Sequence, residues 1–184
     1  MKHLAIAVLA LGLSAATRGV EIAGVNVPDT ETVEGKTLKL NGAGLRKKYV
    51  VAKVYVLGLY LETPSRDAAA ILSSDQVRDL RMSVLRDVSG AKISEAITGG
   101  FERHSGGRLA SLKARLARLA ALIPDLAKGD EVLLTYLPGK GTVVRAKGAE
   151  RGVIEGKDFS DALLAVWLGP DPVQEDLKRA LLGS

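Results

Sequence analysis

The chain has 184 residues, 47% of them apolar and 26% charged, which fits one folded domain and is too apolar for disorder. It contains no cysteine, and this excludes disulfides, thiolate catalysis, cysteine-ligated zinc and iron–sulfur chemistry. The formal net charge of +5 is dispersed, with 26 basic residues among 21 acidic ones and only two Phe, one Trp and four Tyr to stack on bases. Nucleic-acid binding is therefore not expected, and an anionic membrane surface is the simpler counterpart of the charge.

Lys2 precedes an apolar run from Leu4 to Leu13, and Ser14, Ala15 and Ala16 follow as a small-residue cleavage site. This is the pattern of a signal peptide over residues 1–16. A run of about ten residues is half of the roughly twenty that cross a bilayer. The expectation is an exported protein, periplasmic or secreted, whose residues 17–184 form a single domain without a stable membrane span.

Val20 to Val27 reads as a first strand ending at Pro28 and Thr37 to Leu40 as a second, with Asn41-Gly42-Ala43-Gly44 as a turn. Tyr49 to Leu61, YVVAKVYVLGLYL, is apolar on both alternating faces, so this strand must be covered on both sides, with Gly58 marking a bend or bulge. Thr63-Pro64 reads as the start of a short helix to about Leu72, and Leu80, Met82 and Val84 as a half-buried strand. Ser89 caps a helix that buries Ile93, Ile97 and Phe101, and Gly106-Gly107 breaks it. Leu109, Leu112, Leu116 and Leu119 form the stripe of a further helix that stops before Pro124. Glu131 to Leu137, the turn Pro138 to Gly141 and Thr142 to Ala146 read as a hairpin. Asp158 or Ser160 starts a helix through Leu168, and Asp171-Pro172-Val173-Gln174 opens the last one. Hairpins mixed with helices, without regular strand–helix alternation, point to an α+β fold with an antiparallel sheet.

AGLRKKYVVAKVYVLGLYLE, from Ala43 to Glu62, resembles the segment of chalcone isomerase and its relatives in which an arginine precedes a long strand ending in Gly-x-Tyr-Leu-Glu. GVIEGKDFSDALLAVWLGPDPVQEDLKRALL, from Gly152 to Leu182, is similar to the C-terminal part of that family. With the segment from Leu80 to Phe101, the resemblance covers most of residues 20 to 182. It implies an open-faced β-sandwich, in which a large curved antiparallel sheet packs against a layer of helices with the ligand cleft between them.

On this resemblance Arg46 matches the family's ligand-site arginine, which assists cyclisation in plant enzymes and holds a carboxylate in fatty-acid-binding relatives. A guanidinium suits either role because it stays charged when partly buried and offers a planar fork of donors. Read from the residues alone, Arg46 is better explained as part of a basic loop at a strand start, with Lys47 and Lys48. Tyr55 falls where the fatty-acid-binding relatives place a tyrosine and could supply a second donor, or it could be a core tyrosine bonded to a backbone carbonyl. Its pairing with Arg46 needs a bend between Arg46 and Tyr49. Ile93 occupies the place of the plant enzymes' catalytic tyrosine, so the resemblance does not carry chalcone cyclisation over. Lys92 and Ser94 beside it read as helix-surface residues.

His104 is the one histidine beyond the leader, and it reads as a helix-end residue rather than a haem or metal ligand. No triad, phosphate-loop or metal-loop pattern is present, and no cofactor or metal is expected. The first expectation is an exported, non-catalytic protein that binds a small apolar anion such as a fatty acid. Arg46 and Tyr55 would hold the head group, and Val54 and Val56, or Val51 and Leu57, would line the tail, according to which strand face borders the cleft. The alternatives are a chalcone isomerase-type intramolecular lyase using Arg46, and an envelope partner protein without a small ligand.

Overall fold

A computed structural model describes residues 19–49 and 51–184, so the expected signal peptide lies outside the described residues. A small hairpin of β1 (Gly19–Ile22) and β2 (Val25–Pro28) precedes an antiparallel sheet of seven strands. These are β3 (Thr30–Val33), β4 (Lys36–Lys48), β5 (Ala52–Leu61), β6 (Arg78–Val84), β7 (Glu131–Leu137), β8 (Gly141–Ala146) and β9 (Ala149–Ile154), arranged in chain order. The sheet curls into a half-barrel. The helices are α1 (Ala68–Ser73), α2 (Gly90–Ser105), α3 (Leu109–Leu122), α4 (Lys157–Leu168) and α5 (Glu175–Leu181). Among the described residues no helix is long and apolar enough to cross a membrane.

Each face of β5 buries a different cluster, as its doubly apolar pattern requires. Leu57, Leu59 and Leu61 point to the main core, together with Ile97, Phe101, Phe159 and Trp167 from the helices. Val56 and Tyr60 point the other way, toward Val27, Leu38, Leu137 and Val143. Tyr60 Oη donates to the Pro28 carbonyl at 2.9 Å, which fastens the β1–β2 hairpin over this second cluster.

Several local expectations are corrected. Val20 to Val27 is two strands, because Ala23 and Gly24 take positive φ angles of 52° and 83° and reverse the chain. Asn41 to Gly44 is not a turn but the middle of β4. Asn41 is an extra residue between the Leu40–Tyr60 and Gly42–Leu59 pairs. The small residues there answer to α5: a Cβ on Gly42 would lie 2.1 Å from the Ala180 carbonyl oxygen, and one on Gly44 2.8 Å from Leu177 Cδ1. Gly58 sits in regular pairing opposite Ala43 and Arg81 and makes no bulge. The first helix starts at Ala68, not at Pro64, because Asp67 Oδ1 accepts from the Ala69 and Ala70 amides at 2.8 and 3.3 Å. Neither Asp158 nor Ser160 caps α4, which follows Gly156 without a side-chain cap. Asp158 instead forms a two-pronged ion pair with Arg115, and Ser160 accepts from the buried Arg78.

Two acids are buried on the second face. Asp79 is fully buried and accepts from Thr135 Oγ1 at 2.5 Å, while its other carboxylate oxygen has no partner among the described residues. Glu31 from β3 packs against it, with Arg81 Nε 3.8 Å from Glu31 Oε2. Burial above all, then the neighbouring Asp79, pushes Glu31 up to about 8 against the pull of Arg81. Burial also raises Asp79, against the Thr135 hydrogen bond. Burial of two neighbouring acids thus favours a protonated carboxyl on this face.

Candidate ligand site

Arg46 and Tyr55 are directly opposite each other across β4 and β5. The bend expected between Arg46 and Tyr49 falls later, because β4 continues through Lys48 and β5 starts at Ala52 rather than Tyr49; the Ala52 amide donates to the Tyr49 carbonyl at 3.2 Å across the tip of this hairpin. Next to the pair the register slips, from Arg46–Tyr55 to Lys47–Lys53, which leaves Val54 as the unpaired residue of a β-bulge. A bulge breaks the alternation of faces and re-aims side chains. Consecutive residues Val54 and Tyr55 therefore both border one cavity between sheet and helices.

That cavity has a volume of 330 Å³, within the usual range for small-molecule sites. Its apolar wall includes Met82, Ile93, Ile97 and Val166, and its charged end is formed by Arg46, Lys48, Arg86, Asp87 and Lys92. An outer hollow of 490 Å³ shares Arg46, Lys48 and Lys92 with it and adds Glu95, Arg103 and Asp171. Of the residues singled out from the sequence, Arg46, Tyr55 and Val54 meet here. Leu57 faces the same side but lies in the closed core and does not border the cavity. Val56 belongs to the opposite face, and Val51 is exposed at the hairpin tip.

Arg46 is half-buried and has no carboxylate partner among the described residues. Its Nη1 donates to the Lys47 carbonyl and, at 3.1 Å, to Gln174 Oε1. Gln174 also accepts from the Lys47 amide at 2.9 Å and donates to the Leu45 carbonyl at 3.2 Å. Three hydrogen bonds thus lock the residue before α5 onto β4. Tyr55 bonds not to a backbone carbonyl but to Trp167, whose Nε1 donates to Tyr55 Oη at 3.0 Å. With its oxygen accepting from the indole, the Tyr55 O–H remains free to donate. Burial raises the Tyr55 pKa, against smaller opposing effects of Trp167 and Arg46, so the phenol is a neutral donor at ordinary pH. Arg46 and Tyr55 thus place two donors side by side on the wall of an apolar cavity.

Trp167 and Gln174 are site residues that the sequence reading left in structural roles. A buried indole N–H requires an acceptor, and that was the available signal for Trp167. Gln174 looked like part of a helix start, and nothing local pointed to β4. Ile93 contributes an apolar side chain to the cavity wall. His104 is half-buried near the C-terminal end of α2, with Nε2 2.8 Å from the Asp171 carbonyl oxygen.

A curled antiparallel sheet with helices on one face, and a cleft between them carrying an arginine–tyrosine pair, defines an α+β protein of the sheet-and-helix cleft type. The chain belongs to the chalcone isomerase-like family, whose model matches residues 19–183. In fold it is similar to a fatty-acid binding protein of Arabidopsis thaliana, with a TM-score of 0.69 at 16% identity over 86% of this chain and 92% of that chain. No curated protein sequence matches the chain.

Proposed function

We propose that the protein is an exported, non-catalytic binding protein for an apolar carboxylate such as a fatty acid. The observation that carries this reading is Arg46: a half-buried guanidinium without an acidic partner among the described residues, opposite a free phenol O–H, at the polar end of an apolar cavity. The carboxylate would accept from Arg46 and Tyr55, and the chain would lie against Val54, Met82, Ile97 and Val166. The fold likeness to a fatty-acid binding protein supports the reading. Ile93 in the wall, where a catalytic hydroxyl is expected of an isomerase, favours binding over turnover.

Native mass spectrometry of protein purified from its host should find a co-purified acyl carboxylate, on a chain that begins at Thr17. Arg46→Ala should lose it, since hydrogen bonds to a charged group are worth about 1.5–3 kcal/mol. An empty wild-type protein that also fails to bind added fatty acid would overturn the reading.

A further inference from the structure

Three large hydrophobic side chains stand out as exposed among the described residues, and two of them share one place. Tyr49 is 80% and Val51 84% exposed, both at the tip of the β4–β5 hairpin, whereas Val20, at 43%, lies on β1. Isolated exposed apolar residues need no explanation, but these stand at the opening of the cavity, which Lys48, Tyr49 and Ala52 help to line. Tyr49 takes a φ of 48°, a costly conformation for a bulky side chain, in turning the chain at this tip.

The charges around the tip are mostly positive. Lys47 and Lys53 are directly opposite each other across the two strands, a pairing that costs stability. Lys48 Nζ lies 5.4 Å from the Tyr49 ring centroid. Arg86 and Lys92 border the same opening from the β6–α2 connection and the first turn of α2. Among the described residues nine ion pairs join charged side chains elsewhere, and none includes Lys47, Lys48, Lys53, Arg86 or Lys92. Asp87, Glu95 and Asp171 are the acids nearby; Asp87 already accepts from the Lys128 amide at 2.9 Å, and Asp171 is paired with Arg103 at 3.2 Å.

We infer that the β4–β5 hairpin tip docks on an anionic lipid bilayer, with Tyr49 and Val51 entering the interface and the five cations meeting the head groups. A tyrosine suits that boundary because its ring is apolar and its hydroxyl is wet, and lysines near an anionic surface are each worth about fivefold in binding. The docked orientation sets the cavity opening against the lipid, which extends the proposed carboxylate binding to uptake directly from a membrane and rests on that reading for its purpose.

The docking is tested without any acyl ligand, by co-sedimentation with vesicles of phosphatidylcholine alone and of phosphatidylcholine mixed with phosphatidylglycerol. The protein should sediment with the anionic vesicles only, less so as salt rises. The double variant Lys47→Gln with Lys53→Gln should weaken that binding about thirtyfold, at roughly fivefold for each lysine charge removed. Val51→Ser should weaken it with the charges intact. Circular dichroism and fatty-acid titration in vesicle-free solution serve as controls for folding and for an intact cavity. Failure of the wild type to bind anionic vesicles would overturn the inference and leave the patch to another partner, such as an acidic protein. Undiminished binding by a folded double variant would overturn it too. Vesicle binding without fatty-acid binding would sink the proposed function and spare the docking, and the reverse result would do the opposite.

Discussion

Gln174 gives the most direct control over the anion site because it holds Arg46 without occupying the cavity. Removing its side chain in Gln174→Ala takes one acceptor from Arg46 Nη1 and breaks two bonds to the β4 backbone, at the Lys47 amide and the Leu45 carbonyl, and should weaken fatty-acid binding by about 1 kcal/mol. Gln174→Glu goes further, since it places a resident carboxylate against Arg46 in competition with the guest. Isothermal titration should therefore rank affinity as wild type, then Gln174→Ala, then Gln174→Glu. A Gln174→Glu protein that binds fatty acid as tightly as wild type would mean that Arg46 is not the anchor. At this scale Arg46 and Tyr55 were readable only through resemblance. Their direct cross-strand pairing depends on the bulge at Val54, and a bulge in an unbroken apolar run such as VVAKVYVLG leaves no mark in the pattern.

At the scale of elements, the contact between α5 and β4 decides the geometry. The helix crosses so close to the strand that only glycine fits at positions 42 and 44. Gly44→Val forces Leu177 and Ala180 outward and should lower the thermal midpoint, at an overpacking cost of about 1–3 kcal/mol. Because Gln174 immediately precedes that helix, fatty-acid affinity should fall along with stability. A midpoint equal to that of wild type would show that α5 is not seated there. The same contact explains why NGAG was misread: small residues ordinarily make turns, and here their cause lies more than a hundred residues away. β5, α2, α3 and the β7–β8 hairpin were legible because their burial follows their own periodicity. β3 and β9 were not, since edge strands such as TETV and AERGVI expose much of their length and lose the alternation.

For the molecule as a whole, the Glu31–Asp79 pair sets a pH dependence. Glu31 has its folded pKa raised to about 8 from an ordinary 4.5, so the folded state binds a proton that the unfolded state has released between those values. Its stabilising contribution is present below about pH 4.5 and is lost as pH rises through about 8, by the linkage between proton binding and folding. Arg81, Arg145 and Glu131 also act on the pair, and the net direction remains that of burial. Urea unfolding between pH 5 and 9 should show falling stability, and Glu31→Gln should flatten the slope. An unchanged slope in that variant would assign the dependence to other groups.

The chain-order arrangement of the sheet also has a kinetic side. Four of its six strand pairings are between strands joined by short connections, so β3–β4–β5 and β7–β8–β9 can each zip up locally, while β5 reaches β6 through the segment that carries α1. The pairing of β6 with β7 closes the excursion through α2 and α3, the longest loop between paired strands of the sheet and so the one with the largest closure entropy. The cavity lies on that seam, with Met82 from β6 facing Ile93 and Ile97 from the excursion. The walls of the cavity are thus drawn from both sides of the longest loop closure in the sheet.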